Sequence, residues 1–302
     1  YIEGKGRIHF FKPDQTKLFI KTNQTEGIEL LKALNLLPKV RVGLKGRVNA
    51  EANLWGPLEK LKGEISFQIP YLGYKNVEIG ETTGKIRLRQ NGNIIAITST
   101  HSPQSGILES KIILPQLGQL DLTLKAQDIP TSIFNPWLDE TQLQGTFSGQ
   151  TKIRNLFHKM SATGIIHVDN AQLNEADFGK IRATFEANAG LINLQIAAME
   201  DTLKGEFNIN QHNDYSFAGT LSFINLLVNR LLPLPPTLKA ITSGSVFAQG
   251  TLEDIKKIGI DSELNHLQLK VHNQDFRNEG PIRMQLSEKL LTIEPSVITN
   301  GQ

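Results

Sequence analysis

Gly179-Lys180-Ile181-Arg182-Ala183-Thr184-Phe185-Glu186-Ala187 alternates without a break, with Ile181, Ala183, Phe185 and Ala187 set against Lys180, Arg182, Thr184 and Glu186. A period of two belongs to an extended strand with one apolar and one polar face, because successive Cβ atoms of a pleated chain point to opposite sides. The pattern continues on either side of this stretch. It recurs in Ile86 and Leu88, in Leu120, Leu122 and Leu124, in Ile192, Leu194 and Ile196, in Leu203, Phe207 and Ile209, and in Leu221 and Phe223. The joining segments Gln90-Asn-Gly-Asn93, Asn188-Ala-Gly190 and His212-Asn-Asp214 are too short for crossover helices, so antiparallel pairing is expected.

Further outward the chain repeats itself. A Gly followed by alternating small and apolar residues occurs at Gly46-Arg-Val-Asn-Ala-Glu-Ala-Asn-Leu54, Gly145-Thr-Phe-Ser-Gly-Gln-Thr-Lys-Ile153 and Gly244-Ser-Val-Phe-Ala-Gln-Gly-Thr-Leu252, 99 residues apart both times. A second marker follows each: Gly84-Lys85-Ile86-Arg87, Gly179-Lys180-Ile181-Arg182 and Gly280-Pro281-Ile282-Arg283. After it come a turn and another apolar run, at Ile94–Ile97 (including Ile95 and Ile97), Leu191–Ile196 and Leu290–Ile293. Fixed-period self-similarity is the mark of stacked units. It divides the chain into residues 46–144 and 145–243 as full repeats, 1–45 as the end of an upstream one and 244–302 as the start of a downstream one. The chain is therefore expected to be a segment of a longer protein. Short amphipathic helices are predicted at the junctions, over Glu26–Leu37 (stopped by Pro38), Thr131–Leu138 and Asn225–Leu232 (followed by Pro233, Pro235 and Pro236).

Composition removes several function classes. Across 302 residues, 32 Lys and Arg stand against 30 Asp and Glu, a net charge of +2 that gives no electrostatic case for a nucleic-acid partner. With no cysteine there is no disulfide framework, thiolate metal site or thiol nucleophile. The most apolar region, Phe223–Leu234, is interrupted by Asn225, Asn229 and Arg230 and falls short of a membrane-spanning helix. His9, His101, His158, His167, His212, His266 and His272 show no metal-binding spacing, and neighbouring carboxylates such as Asp139-Glu140 and Glu200-Asp201 are badly placed to share a proton. No phosphate-binding loop or nucleophile elbow is present. The expectation is a protein that is not an enzyme and needs no cofactor or metal.

The leucine-rich turns that lead into a Gly-led strand, Leu34-Asn-Leu-Leu-Pro38 before Gly46 and Leu231-Leu-Pro-Leu-Pro-Pro236 before Gly244, together with the Gly-x-Ile-Arg strand starts, resemble the AsmA-like superfamily. Within it they resemble the TamB-type proteins of Gram-negative envelopes, and the resemblance runs along essentially the whole chain. It implies an all-β fold, an elongated antiparallel sheet curled into a hydrophobic groove (a β-taco), with short helices at repeat junctions. It further implies a periplasmic conduit for phospholipid between inner and outer membranes. An outer-membrane barrel protein of the TamA/BamA type would be the partner, and membrane contact would come through regions outside this segment.

Elementary physics is compatible with that groove. An apolar sheet face has to be covered by another sheet, by helices or by a ligand, and the predicted helices are too few and too short. On this view the lining of the groove is Ile86, Leu88, Ile95, Ile97, Leu120, Leu122, Leu124, Ile181, Ala183, Phe185, Ile192, Leu194, Ile196, Phe207, Ile209, Leu221 and Phe223. Arg87, Arg182 and Arg283 stand either on a solvated outer face or at a rim where they meet lipid headgroups. Three alternatives stay open, one of them a repeat-built enzyme whose site is assembled across repeats and so is invisible in the sequence. A period near 100 residues also suits tandem immunoglobulin-like sandwiches, whose apolar faces close on one another, and a groove also suits an interaction scaffold that receives extended strands of client proteins.

Overall fold

A computed structural model of the chain describes residues 2–7, 16–26, 44–57, 62–74, 77–89, 92–103, 106–115, 120–138, 141–155, 160–210, 215–251, 258–287 and 290–300. These residues form 21 strands of one antiparallel sheet. The chain divides into two compact units, residues 1–139 with 147–158 and residues 140–146 with 159–302. Unit 1 contains β1 (Ile2–Arg7), β2 (Lys17–Glu26), β3 (Leu44–Lys45), β4 (Arg47–Trp55), β5 (Lys62–Tyr74), β6 (Val77–Leu88), β7 (Ile94–His101), β8 (Ile107–Leu114) and β9 (Asp121–Pro130). The division falls inside β10 (Leu143–Arg154). Unit 2 contains β11 (Ser161–Leu173), β12 (Ala176–Asn188), β13 (Leu191–Ala198), β14 (Leu203–Asn210), β15 (Ser216–Leu227), β16 (Leu238–Thr251), β17 (Gly259–Val271), β18 (Gln274–Glu279), β19 (Ile282–Ser287), β20 (Leu290–Ile293) and β21 (Val297–Asn300).

Nearly every strand pairs with its sequence neighbours, so the expected meander is what forms. β4 to β9 pair in succession in unit 1, and β11 to β17 do so in unit 2. The sheet does not close among the described residues, because β1 pairs only with β2 while β20 and β21 pair only with β19 and β18. A single meandering sheet is not a tandem array of two-sheet sandwiches. The Asn188–Leu191 hairpin has the two-residue loop Ala189-Gly190, with φ of 48° and 86°, the positive pair that matches the right-handed twist of the flanking strands. The other two predicted turns lie partly or wholly outside the described residues.

The 99-residue glycine marker has a structural cause. Gly46 lies against the carbonyl of Tyr71 inside the β5 bulge, Gly145 against the carbonyl of Asp169 inside the β11 bulge, and Gly244 against Glu263 at the register shift between β16 and β17. At Gly145 a Cβ would meet the Asp169 oxygen at 2.7 Å, and the backbone φ is 127°, so only glycine fits. A bulge bends its strand and strengthens the local twist. The repeat in the sequence is therefore a repeated bend. The second marker has no common role: Gly84 is mid-strand under the Phe67 ring, Gly179 has a φ of 61° with its N–H donated to Asp177 Oδ1, and Gly280 precedes β19 with open space around it.

The junction helices differ from expectation. Thr131–Trp137 and Val228–Arg230 are 3₁₀ segments, neither with a side-chain cap at its start. Pro136 and the prolines after Leu232 deny them the donors that a regular α-helix needs. Apart from Glu26, at the end of β2, the third predicted helix lies outside the described residues. In unit 1 the first of these segments is held by Phe134, whose ring centroid is 5.9 Å from that of Phe147.

Candidate functional site

Register fixes which side chains share a face. In unit 2, cross-strand partners place Gly164, Phe185, Leu194, Phe207, Gly219, Ala248, Ile260, Leu286 and Leu291 in one row across nine strands. A parallel row runs Ile166, Ala183, Ile196, Gly205, Leu221, Val246, Ser262, Met284 and Ile293. Ile192 and Ile209 face each other in a third. Glycines make room for the largest side chain, since the Phe207 ring lies where side chains at Gly205 and Gly219 would be. From β12 to β17 the large residues of these rows are half-buried, against the exposed charged residues on the reverse side. The whole predicted unit 2 lining, Ile181, Ala183, Phe185, Ile192, Leu194, Ile196, Phe207, Ile209, Leu221 and Phe223, falls on this single face.

One end of that face is closed. Ile181, Ala198, Leu203, Phe223, Gly244, Leu264 and Ile282 form a further row, and around it Met199, Leu203, Phe223 and Leu226 pack into a buried cluster with Phe178, Leu221, Leu231 and Val246. Phe223 is only 6% exposed. Phe223 is thus packed core, a correction to its place on an open lining, while Ile181 and Leu221 are half-buried on the face and pack against this cluster. The 3₁₀ segment that helps to close it is tied down by Arg230, which donates to Asp177 Oδ2 at 3.1 Å and to Glu200 Oε2 at 3.3 Å. Asn229 holds β16 from the same segment, donating to the Leu238 carbonyl and accepting from the Ala240 N–H.

In unit 1 the corresponding face carries Leu18, Ile20, Ala50, Ala52, Ile65, Phe67, Ile86, Leu88, Ile94, Ala96, Ile112, Leu122 and Leu124. Leu120, just ahead of β9, keeps the same parity. Hydroxyls interrupt this face. Thr82 Oγ1 and Thr100 Oγ1 share a buried hydrogen bond of 2.9 Å, and Thr98 and Ser110 share one of 2.7 Å. Ile95 and Ile97 do not belong to it. They pair with Arg87 and Lys85 and stand on the charged face, because β7 is apolar on both sides and alternation alone does not say which isoleucines turn inward.

The three marker arginines are also on the charged face, Arg182 mid-strand in β12, Arg87 one residue from the end of β6 and Arg283 one residue from the start of β19. Arg87 Nε donates to Glu64 Oε2 at 3.1 Å, Arg283 Nε donates to Glu263 Oε2 at 3.1 Å, and Arg182 lies between His167 and Ala197. Arg87 and Arg283 thus make cross-strand ion pairs on the outer face. The hydrogen bond from Arg87, aided by Lys85, holds the Glu64 carboxyl below its ordinary value, and the hydrogen bond to Glu51 raises Lys21.

No group of three or more metal-binding side chains occurs among the described residues, and no helix there is long and apolar enough to cross a membrane. The face contains residues not singled out from sequence, among them Ile166, Val246, Ile260, Leu264, Met284 and Leu286. Their signal was available in the alternation of Ile282-Arg-Met-Gln-Leu286, which extends the second marker. The chain matches no family model, no curated protein and no solved structure.

Proposed function

We propose that the apolar face of each unit holds lipid acyl chains, and that the chain is a non-enzymatic lipid-transfer segment of the AsmA/TamB-like kind, working in the periplasm of a Gram-negative envelope. The observation that carries this is the nine-strand apolar row through Phe185, Leu194 and Phe207, half-buried from β12 to β17. Alkyl chains suit such a face because their burial gains about 0.8 kcal/mol per methylene and asks for no donors or acceptors. Phospholipid would lie with its chains across the rows and its headgroup toward water. An outer-membrane barrel partner and delivery between the two membranes belong to the same proposal.

The test is native mass spectrometry with lipid extraction on gently purified protein. Stoichiometric phospholipid is expected, and Leu194→Asp should remove it from a chain that stays folded, since a charge on the face must be desolvated under a bound chain. Folded Leu194→Asp protein that keeps its lipid would overturn the proposal. One observation favours a second use, a scaffold for extended client strands. Among the described residues β20 pairs on one side only, and its Leu290 is 70% exposed, which is the form of an edge open to strand addition. Binding of an extended, alternating peptide to lipid-free protein would favour that use.

A further inference from the structure

The polar faces of the two units differ in how charge is balanced around their exposed apolar side chains. In unit 2 that face has a concavity of about 440 Å³ around the exposed Phe247, lined by Asp261, Glu263, Glu294 and one cation, Arg283, which already donates to Glu263. In unit 1 the equivalent surface has a concavity of about 620 Å³, within the range that takes small ligands, and isoleucines lie at its centre. Ile97 is 48% exposed and has Lys85 and Lys111 as its two cross-strand neighbours. Ile95 lies beside it, next to Arg87.

The charges around these isoleucines do not balance. Lys85 and Arg87 share the one carboxylate of Glu64, at 3.4 and 3.1 Å, and Lys125 stands 3.9 Å from Glu109. Lys111 has no ion-pair or hydrogen-bond partner among the described residues. An unpaired ammonium beside an exposed apolar floor is complementary to a molecule with an anionic head and an alkyl body. Lys85 and Lys111 flank Ile97 from strands two spacings apart, about 9.6 Å, which leaves room for one alkyl chain rather than two.

We infer that this concavity is a second ligand site, for a single-chain carboxylate amphiphile of the fatty-acid type, with its chain on Ile95 and Ile97 and its carboxylate on Lys111 and Lys85. Within unit 1 the site is on the reverse side of the sheet from the apolar face and does not depend on what that face holds.

The test is a titration of the whole chain with decanoate at neutral pH, followed through the isoleucine δ1-methyl signals, with uncharged decanol as the comparison. The Ile95 and Ile97 signals should move along a saturating curve. Decanol should bind at least tenfold more weakly, and Lys111→Glu should lower decanoate affinity at least tenfold. Lys111 and Ile97 are exposed, so Lys111→Glu and Ile97→Asp should fold, and unchanged signals of Ile20 and Ile65, on the apolar face of the same unit, verify this in the ligand-free variants. Static Ile95 and Ile97 signals, equal binding of decanol and decanoate, or an unaffected Lys111→Glu variant would each overturn the site. Ile65 and Ile86 report the apolar face of unit 1 and Ile192, Ile196 and Ile209 that of unit 2, so failure here is distinguishable from failure of the acyl-chain proposal.

Discussion

Two cross-strand rows occupy similar places beside the bulges of their units and are filled by opposite means. In unit 1 the row is Ile69, Thr82, Thr100, Leu108 and Ala126, with a buried hydroxyl pair at its centre. In unit 2 it is Ile181, Ala198, Leu203, Phe223, Gly244, Leu264 and Ile282, with no hydroxyl at all. Threonine keeps a strand β-branched and lets two strands approach without a bulky core, provided its hydroxyl finds a partner. Phenylalanine and leucine instead supply burial, about 1.5–3 kcal/mol per side chain, and need cover, to which Leu231, just after the Val228–Arg230 segment, contributes. The same backbone device therefore yields a thin, hydrogen-bonded seam in one unit and a small hydrophobic core in the other.

The contrast can be broken most forcefully at Phe223. Phe223→Asp puts a carboxylate into the unit 2 cluster and should cost more than about 4 kcal/mol, unfolding that unit. Both tryptophans, Trp55 and Trp137, belong to unit 1, so hydrogen exchange of β13 to β15 should rise sharply while tryptophan fluorescence stays native. If exchange does not change, Phe223 is not core.

Gly145→Ala tests the bend rather than the filling. With a φ of 127° and a carbonyl 2.7 Å from the new Cβ, the variant should lose about 1–3 kcal/mol in a denaturant titration. Full stability would mean that the glycine marker is not a steric requirement. Thr100→Val sharpens the seam. It strands the buried Thr82 hydroxyl and should cost about 1–2 kcal/mol, whereas the double variant Thr82→Val/Thr100→Val should recover most of that, because neither polar group is then left unsatisfied. Equal losses in the single and double variants would contradict a hydroxyl-paired seam.

The smallest effect is expected on the charged face. Glu64 is held ionised by Arg87, so its folded-state titration midpoint lies below the ordinary 4.5. Whatever stability this contributes is present above the unfolded-state value and is lost as pH falls through the folded-state one. A carboxyl NMR titration should show the low midpoint, and Arg87→Gln should move it back toward 4.5.

The strands and their antiparallel order were legible because a period of two is a direct imprint of a half-buried pleat, as at Ile181 to Ala187. Three things were not. Where apolar residues fall on both sides, as at Ile94-Ile-Ala-Ile97, the inward set depends on pairing with β6 and β8, which one strand does not encode. Which end of a stripe is core depends on a 3₁₀ segment anchored by Arg230, an ion pair 53 residues distant in the chain from Asp177. The arginine of each second marker looked like one repeated function, yet its partner carboxylates, Glu64 and Glu263, come from neighbouring strands outside the repeated motif.

The neighbour-to-neighbour pairing has a consequence for how the molecule is made. Hairpins such as Leu173–Ala176 and Asn188–Leu191 close loops of only two residues, so the chain entropy lost before their contacts form is small, and such local pairing keeps contact order low for an all-β protein. A nascent chain can add strands one at a time as they emerge, each new strand laid on an edge already formed. The vulnerable species on that route is whichever strand is last in line, with its unpaired backbone and apolar side chains exposed until the next arrives. Ribosome pausing just after an apolar strand such as Leu191–Ala198 would prolong that exposure and favour aggregation.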